Sequence, residues 1–146
     1  MIRKIEEKDK DEYLSMAKDF YSSPAVLHTV ANENFQKTFE ELMRSDVYAE
    51  GFIFEKDGKT AGYALIANTF SQEAGGKVCW IEEIYVKPEF RSEGLGTEFF
   101  GYLEKIKSDE VKRFRLEVEI ENERAIGLYT SLGYDFFGYD QMVKEV

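Results

Sequence analysis

The sequence contains one cysteine, Cys79, one histidine, His28, and two prolines in 146 residues. A lone cysteine excludes an internal disulfide. With only one histidine beside it, the common zinc frameworks of three or four nitrogen and sulfur ligands are excluded as well, so no metal is expected. No apolar run is long enough to cross a bilayer. The opening residues, MIRKIEEKDKDEY, lack the apolar centre of a secretion signal. Together these absences predict a soluble protein of a reducing, cytoplasmic compartment with no membrane partner. Positive charge is also scarce. The 19 basic residues face 29 acidic ones, a net charge of −10. Nucleic acid needs a basic footprint and is not the expected partner. The acidity suits a cationic acceptor such as an amine, though acidity of this kind also serves solubility alone.

What is present is enough for one α/β domain over residues 1–146, with 43% hydrophobic and 15% aromatic residues. Ile2 to Ile5 alternates as a short strand. Tyr13, Leu14, Ala17, Phe20 and Tyr21 then fall on a single helical face. Ser22-Ser23-Pro24 should end that helix. Asn32 is the expected N-cap of a second helix carrying Phe35, Phe39, Leu42 and Met43. Val47 to Glu55 and Thr60 to Phe70 read as strands joined by a tight Asp57-Gly58 hairpin. Lys77 to Lys87 adds a third strand to an antiparallel meander. A helix from Leu95 to Ile106, a strand from Phe114 to Ile120 and a helix from Asn122 to Leu132 follow, with Gly133 as the stop. Residues 134–146 are expected to add one or two short strands.

The chemistry centres on Phe90-Arg91-Ser92-Glu93-Gly94-Leu95-Gly96-Thr97. This turn follows a strand and opens a helix, whose first amides have no internal partners and lie at the positive end of the helix dipole. Gly94 and Gly96 leave room for a ligand, and Arg91 adds positive charge. A diphosphate suits such a site. A Walker A loop is excluded, because no glycine-lysine-serine/threonine run is present. The dinucleotide pattern Gly-x-Gly-x-x-Gly fails at Phe99.

The remaining pattern, Arg-x-x-Gly-x-Gly within VKPEFRSEGLGT, resembles the acyl-CoA-binding motif of the GNAT acetyltransferase superfamily. A second segment, Asn122-Glu-Arg-Ala-Ile-Gly-Leu-Tyr129-Thr-Ser-Leu-Gly133-Tyr134, is similar to that superfamily's other hallmark. The element order agrees over the whole chain, and the Glu82-Glu83 pair with the long hairpin looks loosely like the diamine acetyltransferase branch. The resemblance implies a GNAT-like mixed sheet in the order β-α-α-β-β-β-α-β-α-β(-β), with a meander followed by a splayed parallel pair. It implies acetyl-CoA as cosubstrate. Its diphosphate would rest on the amides of Arg91, Ser92, Glu93, Gly94, Leu95, Gly96 and Thr97, and its pantetheine arm against the backbone of Ile84, Tyr85 and Val86. One residue departs from the pattern. Ser92 stands where the superfamily most often has glycine, and positive φ there would strain it by about 1 kcal/mol or more.

The same resemblance implies that Asn122 lies near the CoA arm, although helix capping explains an asparagine there equally well. It implies that Tyr129 is the general acid that protonates the departing thiolate. Two adjacent carboxylates in a central strand are unusual, and alternation lets only one face the acceptor. Glu82 is the first expectation as base or ammonium anchor, since alternation puts it on one face with Ile84 and Val86 and it matches a glutamate of the diamine acetyltransferases. Glu83 is the second. The acceptor wall should include Tyr21 and His28 from the first two helices and their loop, with Tyr85 and Tyr139 as further aromatic lining. The expected activity is direct acetyl transfer from acetyl-CoA to a primary amine, with a small cationic amine or polyamine as acceptor. Transfer to peptide or protein amines and a non-catalytic acyl-CoA-binding regulatory module are the alternatives. An exposed edge strand offers a route to a homodimer.

Overall fold

The computed structural model describes residues 1–146, and the chain divides into two compact units, Met1–Leu116 and Glu117–Val146. The first contains β1 (Ile2–Lys4), α1 (Lys10–Tyr21), α2 (Asn32–Arg44), β2 (Ala49–Lys56), β3 (Lys59–Ser71), β4 (Gly76–Val86), α3 (Leu95–Lys107) and β5 (Val111–Leu116). Short 3-10 turns precede α1 at Glu7–Asp9 and follow β4 at Pro88–Phe90. The five strands lie side by side in sequence order. The first four are antiparallel, and β4 and β5 run parallel. Asp57 and Gly58 both take positive φ, as a two-residue hairpin turn between twisted strands requires.

Period-two alternation divides the side chains of the sheet between two helical layers. Ile53 and Tyr63 pack with Tyr13, Met16 and Ala17 of α1 and with Phe35, Phe39 and Leu42 of α2. On the opposite face, Phe52 and Phe54 each bring their rings within 5.5 Å of Phe99 on α3. The entry to α1 is pinned by Arg3, whose guanidinium donates to both Asp9 oxygens at 2.8 Å and to Glu55 at 2.7 Å. Asn32 is not the cap of α2. It is the first helical residue, and Ala31 holds the cap position without a side-chain bond.

Two departures at β4 matter for function. Leu65 of β3 pairs with Glu83, but Ile66 pairs with Ile81, so Glu82 is the extra residue of a β-bulge. The bulge breaks the alternation on which face assignments rest, so the expected sharing of one face by Glu82, Ile84 and Val86 does not follow. The β4–β5 ladder also stops at Ile81 and Leu116. β5 therefore starts before the expected Phe114 and ends before the expected Ile120, at Leu116, and residues 82–86 of β4 have no strand beside them on the β5 side.

In the second unit, α4 (Glu123–Ser131) begins at Asn122, whose side-chain oxygen accepts the Ala125 N–H at 3.2 Å. Gly133 follows the helix with φ of 91°. Residues 134–146, expected to add strands, form neither helix nor strand. A strand needs a partner edge, and this unit contains no other strand to supply one.

Candidate active site

The glycine turn between β4 and α3 has a backbone shape that suits an anion, an open cradle of amides. Pro88 fixes the start of the short 3-10 turn, and Arg91 then leaves it in extended conformation. Ser92 and Gly94 both take left-handed conformations, with φ of 65° and 80°. Alternating handedness of this kind points successive amides toward one side. None of the six amides from Ser92 to Thr97 donates to a protein acceptor. Leu95 is buried and anchors the helix start, while the other residues of the turn remain accessible. Gly96 is helical, and its open side has no atom within 4 Å of a notional Cβ. The serine at position 92 therefore sits in the strained conformation expected from the glycine it replaces.

Charge at the turn is mixed. Arg91 donates its Nε to the Val86 carbonyl at 2.9 Å and lies 6.0 Å above the Tyr85 ring. Glu93, inside the cradle, pairs with Lys56 from the β2–β3 hairpin. Beside the turn, the strand edge at Ile84, Tyr85 and Val86 lacks a β5 neighbour, which leaves backbone groups for an extended ligand to pair with.

On the α1–α2 side of the sheet, past the bulge, lies the most unusual side chain of the molecule. Glu83 is 7% exposed, yet no cation pairs with it. Its Oε1 accepts the Tyr21 hydroxyl at 2.5 Å, and its Oε2 accepts the Tyr63 hydroxyl at 2.6 Å. Burial pushes the Glu83 carboxyl above the ordinary glutamate range, and the two phenol bonds offset part of that rise. Burial and the same carboxylate push the Tyr21 and Tyr63 phenols up strongly. The rings form a contiguous group. Tyr63 stands edge-on to Tyr13 at 5.3 Å and tilted to Tyr85 at 5.9 Å, and Tyr21 packs against Phe20 and Phe35 at 5.1 and 5.5 Å.

The sequence candidates thus separate by place. Glu83, Tyr21 and Tyr85 meet around this buried cluster. Glu82 is exposed at the bulge, and its charge still reaches Tyr21. His28 is exposed on the loop between α1 and α2. In the second unit, Tyr129 stands 6.3 Å from Tyr134, ring to ring, and burial raises its phenol. Asn122 caps α4, and Tyr139 is exposed and packs edge-on to Phe137. Cys79 is fully buried with its thiol pushed up to about 12, which removes it as a nucleophile. Tyr63 was missed by sequence reasoning. Its only signal was a position one strand away from Glu83 across a hairpin, and the bulge makes that register unreadable in advance.

Comparison with known proteins agrees with this geometry. Residues 11–134 match the acetyltransferase (GNAT) family. A thialysine N-epsilon-acetyltransferase of Sus scrofa is 29% identical over 91% of this chain and 82% of its own. A possible acetyltransferase from Clostridium difficile 630 superposes with a TM-score of 0.86 at 21% identity, over 100% of this chain and 97% of that one. AAC(6')-Iy, solved in complex with the bisubstrate analogue CoA-S-monomethyl-acetylneamine, superposes with a TM-score of 0.81 at 16% identity, over 100% and 97%. An open amide cradle after β4, a parallel pair that parts beside it and a family match spanning both units lead to one conclusion: the chain belongs to the acetyltransferase (GNAT) family and is an enzyme that uses acetyl-CoA.

Proposed function

We propose that the enzyme acetylates a primary amine of a small cationic acceptor by direct attack within a ternary complex. The single observation that carries this reading is Glu83, a buried carboxylate with two phenols and no cation. A charge buried this deeply is costly unless a counter-ion arrives. The acceptor's ammonium is that counter-ion, and the similar thialysine N-epsilon-acetyltransferase is named for an amine acceptor of that kind. The raised carboxyl of Glu83 suits a base that must take a proton near neutral pH.

In this reading the Ser92–Thr97 amides hold the CoA diphosphate, with Arg91 adding charge, and the Ile84–Val86 backbone lies along the pantetheine arm. Glu83 removes a proton from the bound ammonium. The freed nitrogen lone pair forms the C–N bond to the acetyl carbonyl carbon. The C–S bond then breaks, and its electron pair leaves on sulfur. That thiolate takes up a proton, the role the family resemblance gives to Tyr129, and Asn122 caps the helix that carries Tyr129. Glu82 and His28 face the acceptor as rim groups, with Glu82 as ammonium anchor rather than base.

The test is thiol release from acetyl-CoA against a panel of amines across pH. Glu83→Gln should lower kcat by about a hundredfold or more and flatten its rise with pH. Glu82→Gln should chiefly raise KM for the most cationic acceptors. Full turnover in Glu83→Gln would remove Glu83 as the base. CoA binding without turnover of any amine would favour a regulatory module, and turnover of peptide amines alone would replace the small acceptor.

A further inference from the structure

Glu83 has a phenol on each oxygen, and the two phenols are not equivalent. Tyr63 is 1% exposed and walled in by the rings of Tyr13 and Tyr85. Glu83 itself is 7% exposed. Tyr21, the last residue of α1, is the only member of the trio that is more than marginally accessible. Its ring is held by Phe20 on its own helix and by Phe35 on α2, so its hydroxyl has a defined direction. The titratable groups acting on it are Glu83 and Glu82 from β4 and Tyr13 from α1, while the α2 contact is the apolar Phe35 ring. A proton reaching Glu83 from the accessible side therefore meets Tyr21 first.

We propose that Tyr21 is a catalytic proton relay between the acceptor amine and Glu83, and that Tyr63 is the positioning residue that holds the far oxygen of the carboxylate. This rests on the reading of Glu83 as base. The ammonium N–H bond breaks, and its proton passes to the Tyr21 oxygen. In the same event the original Tyr21 proton moves to Glu83 Oε1. Tyr21 ends as it began, Glu83 ends neutral, and the nitrogen lone pair is free to attack. Two neighbouring carboxylates disfavour a tyrosinate intermediate, so the two transfers are concerted. The proton later returns to solvent by the same path.

The experiment is single-turnover acetyl transfer in mixtures of H2O and D2O, with wild type, Tyr21→Phe, Tyr63→Phe and Glu83→Gln compared at equal thermal stability. The wild type should give a curved proton inventory, the sign of two protons in flight. Tyr21→Phe keeps the ring contacts with Phe20 and Phe35. It should slow transfer by about a hundredfold and make the inventory linear, with acceptor KM little changed. Tyr63→Phe should retain the curved inventory but move the acidic limb of the pH–rate profile to higher pH, because a bond that stabilises the carboxylate is lost. A wild-type rate and curved inventory in Tyr21→Phe, with Glu83→Gln still impaired, would overturn the relay alone. An unimpaired Glu83→Gln would overturn the base reading itself.

Discussion

The cradle at Ser92–Thr97 and the carboxylate at Glu83 are two solutions to holding charge, and they differ in what does the holding. The cradle uses backbone amides, stays accessible and depends on a few φ angles. The Glu83 cluster uses side chains from α1, β3 and β4, is buried, and depends on sheet register. The first therefore tolerates almost any side chain that permits its conformation. The second tolerates almost no change in the position of its strands.

The largest effect on this contrast should come from Gly62→Ala. An added Cβ would lie 2.2 Å from the Tyr85 carbonyl oxygen and 3.1 Å from the Val86 Cα, so β3 and β4 must part next to the Tyr63–Tyr85 pair and shift Tyr63 relative to its partner Glu83. We expect a loss of about 3 kcal/mol in denaturant unfolding and a collapse of turnover. Wild-type turnover in this variant would show that the cluster does not need its register. Next in size is the pH dependence of stability. The Glu83 carboxyl is higher in the folded than in the unfolded chain, so the folded state binds more protons between those two values. Its contribution is greatest at low pH and is lost as pH rises through the folded value. Glu83→Gln should therefore unfold at a higher temperature than wild type at pH 8, by roughly 1–3 kcal/mol of burial cost removed. The gap should close as the pH falls toward the ordinary carboxylate range. A gap that widens on acidification would contradict the buried, unpaired charge.

Effects at the cradle should be smaller. Ser92→Gly relieves a left-handed serine and should stabilise the enzyme by about 1 kcal/mol, with CoA affinity kept. Equal or lower stability would mean that Ser92 is not strained. The smallest effect belongs to Glu93→Gln. It removes a carboxylate from the cradle and releases Lys56 from its ion pair, so CoA should bind only slightly more tightly in calorimetry at low salt, and the gain should vanish at high salt. Acetyl-pantetheine, which lacks the diphosphate, should show no such gain.

Much of the architecture was legible in the sequence because it is local. Asp57-Gly58 requires a tight hairpin, Tyr13, Ala17 and Phe20 require a helical face, and Gly94 permits the left-handed turn before α3. The glycine turn was legible for the same reason, down to the left-handed Ser92. Asn32 was misread because its neighbour Ala31 takes the cap position, and local propensity separates adjacent residues poorly. The acceptor side was less legible. Counting alternation along β4 favoured Glu82, and nothing in the chain announces the bulge that inserts it. The partnership of Tyr63 with Glu83 spans 20 residues and depends on which strand positions lie opposite one another.

The sequence by itself determined most elements of the first unit, the glycine turn before α3 and the family, because each follows from short-range periodicity, turn chemistry and spacing. Tertiary structure alone decided which of two adjacent glutamates is buried, which phenols hold it and where β4 parts from β5. Those facts depend on register between strands, and a shift of one residue turns every side chain beyond it to the other face of the sheet.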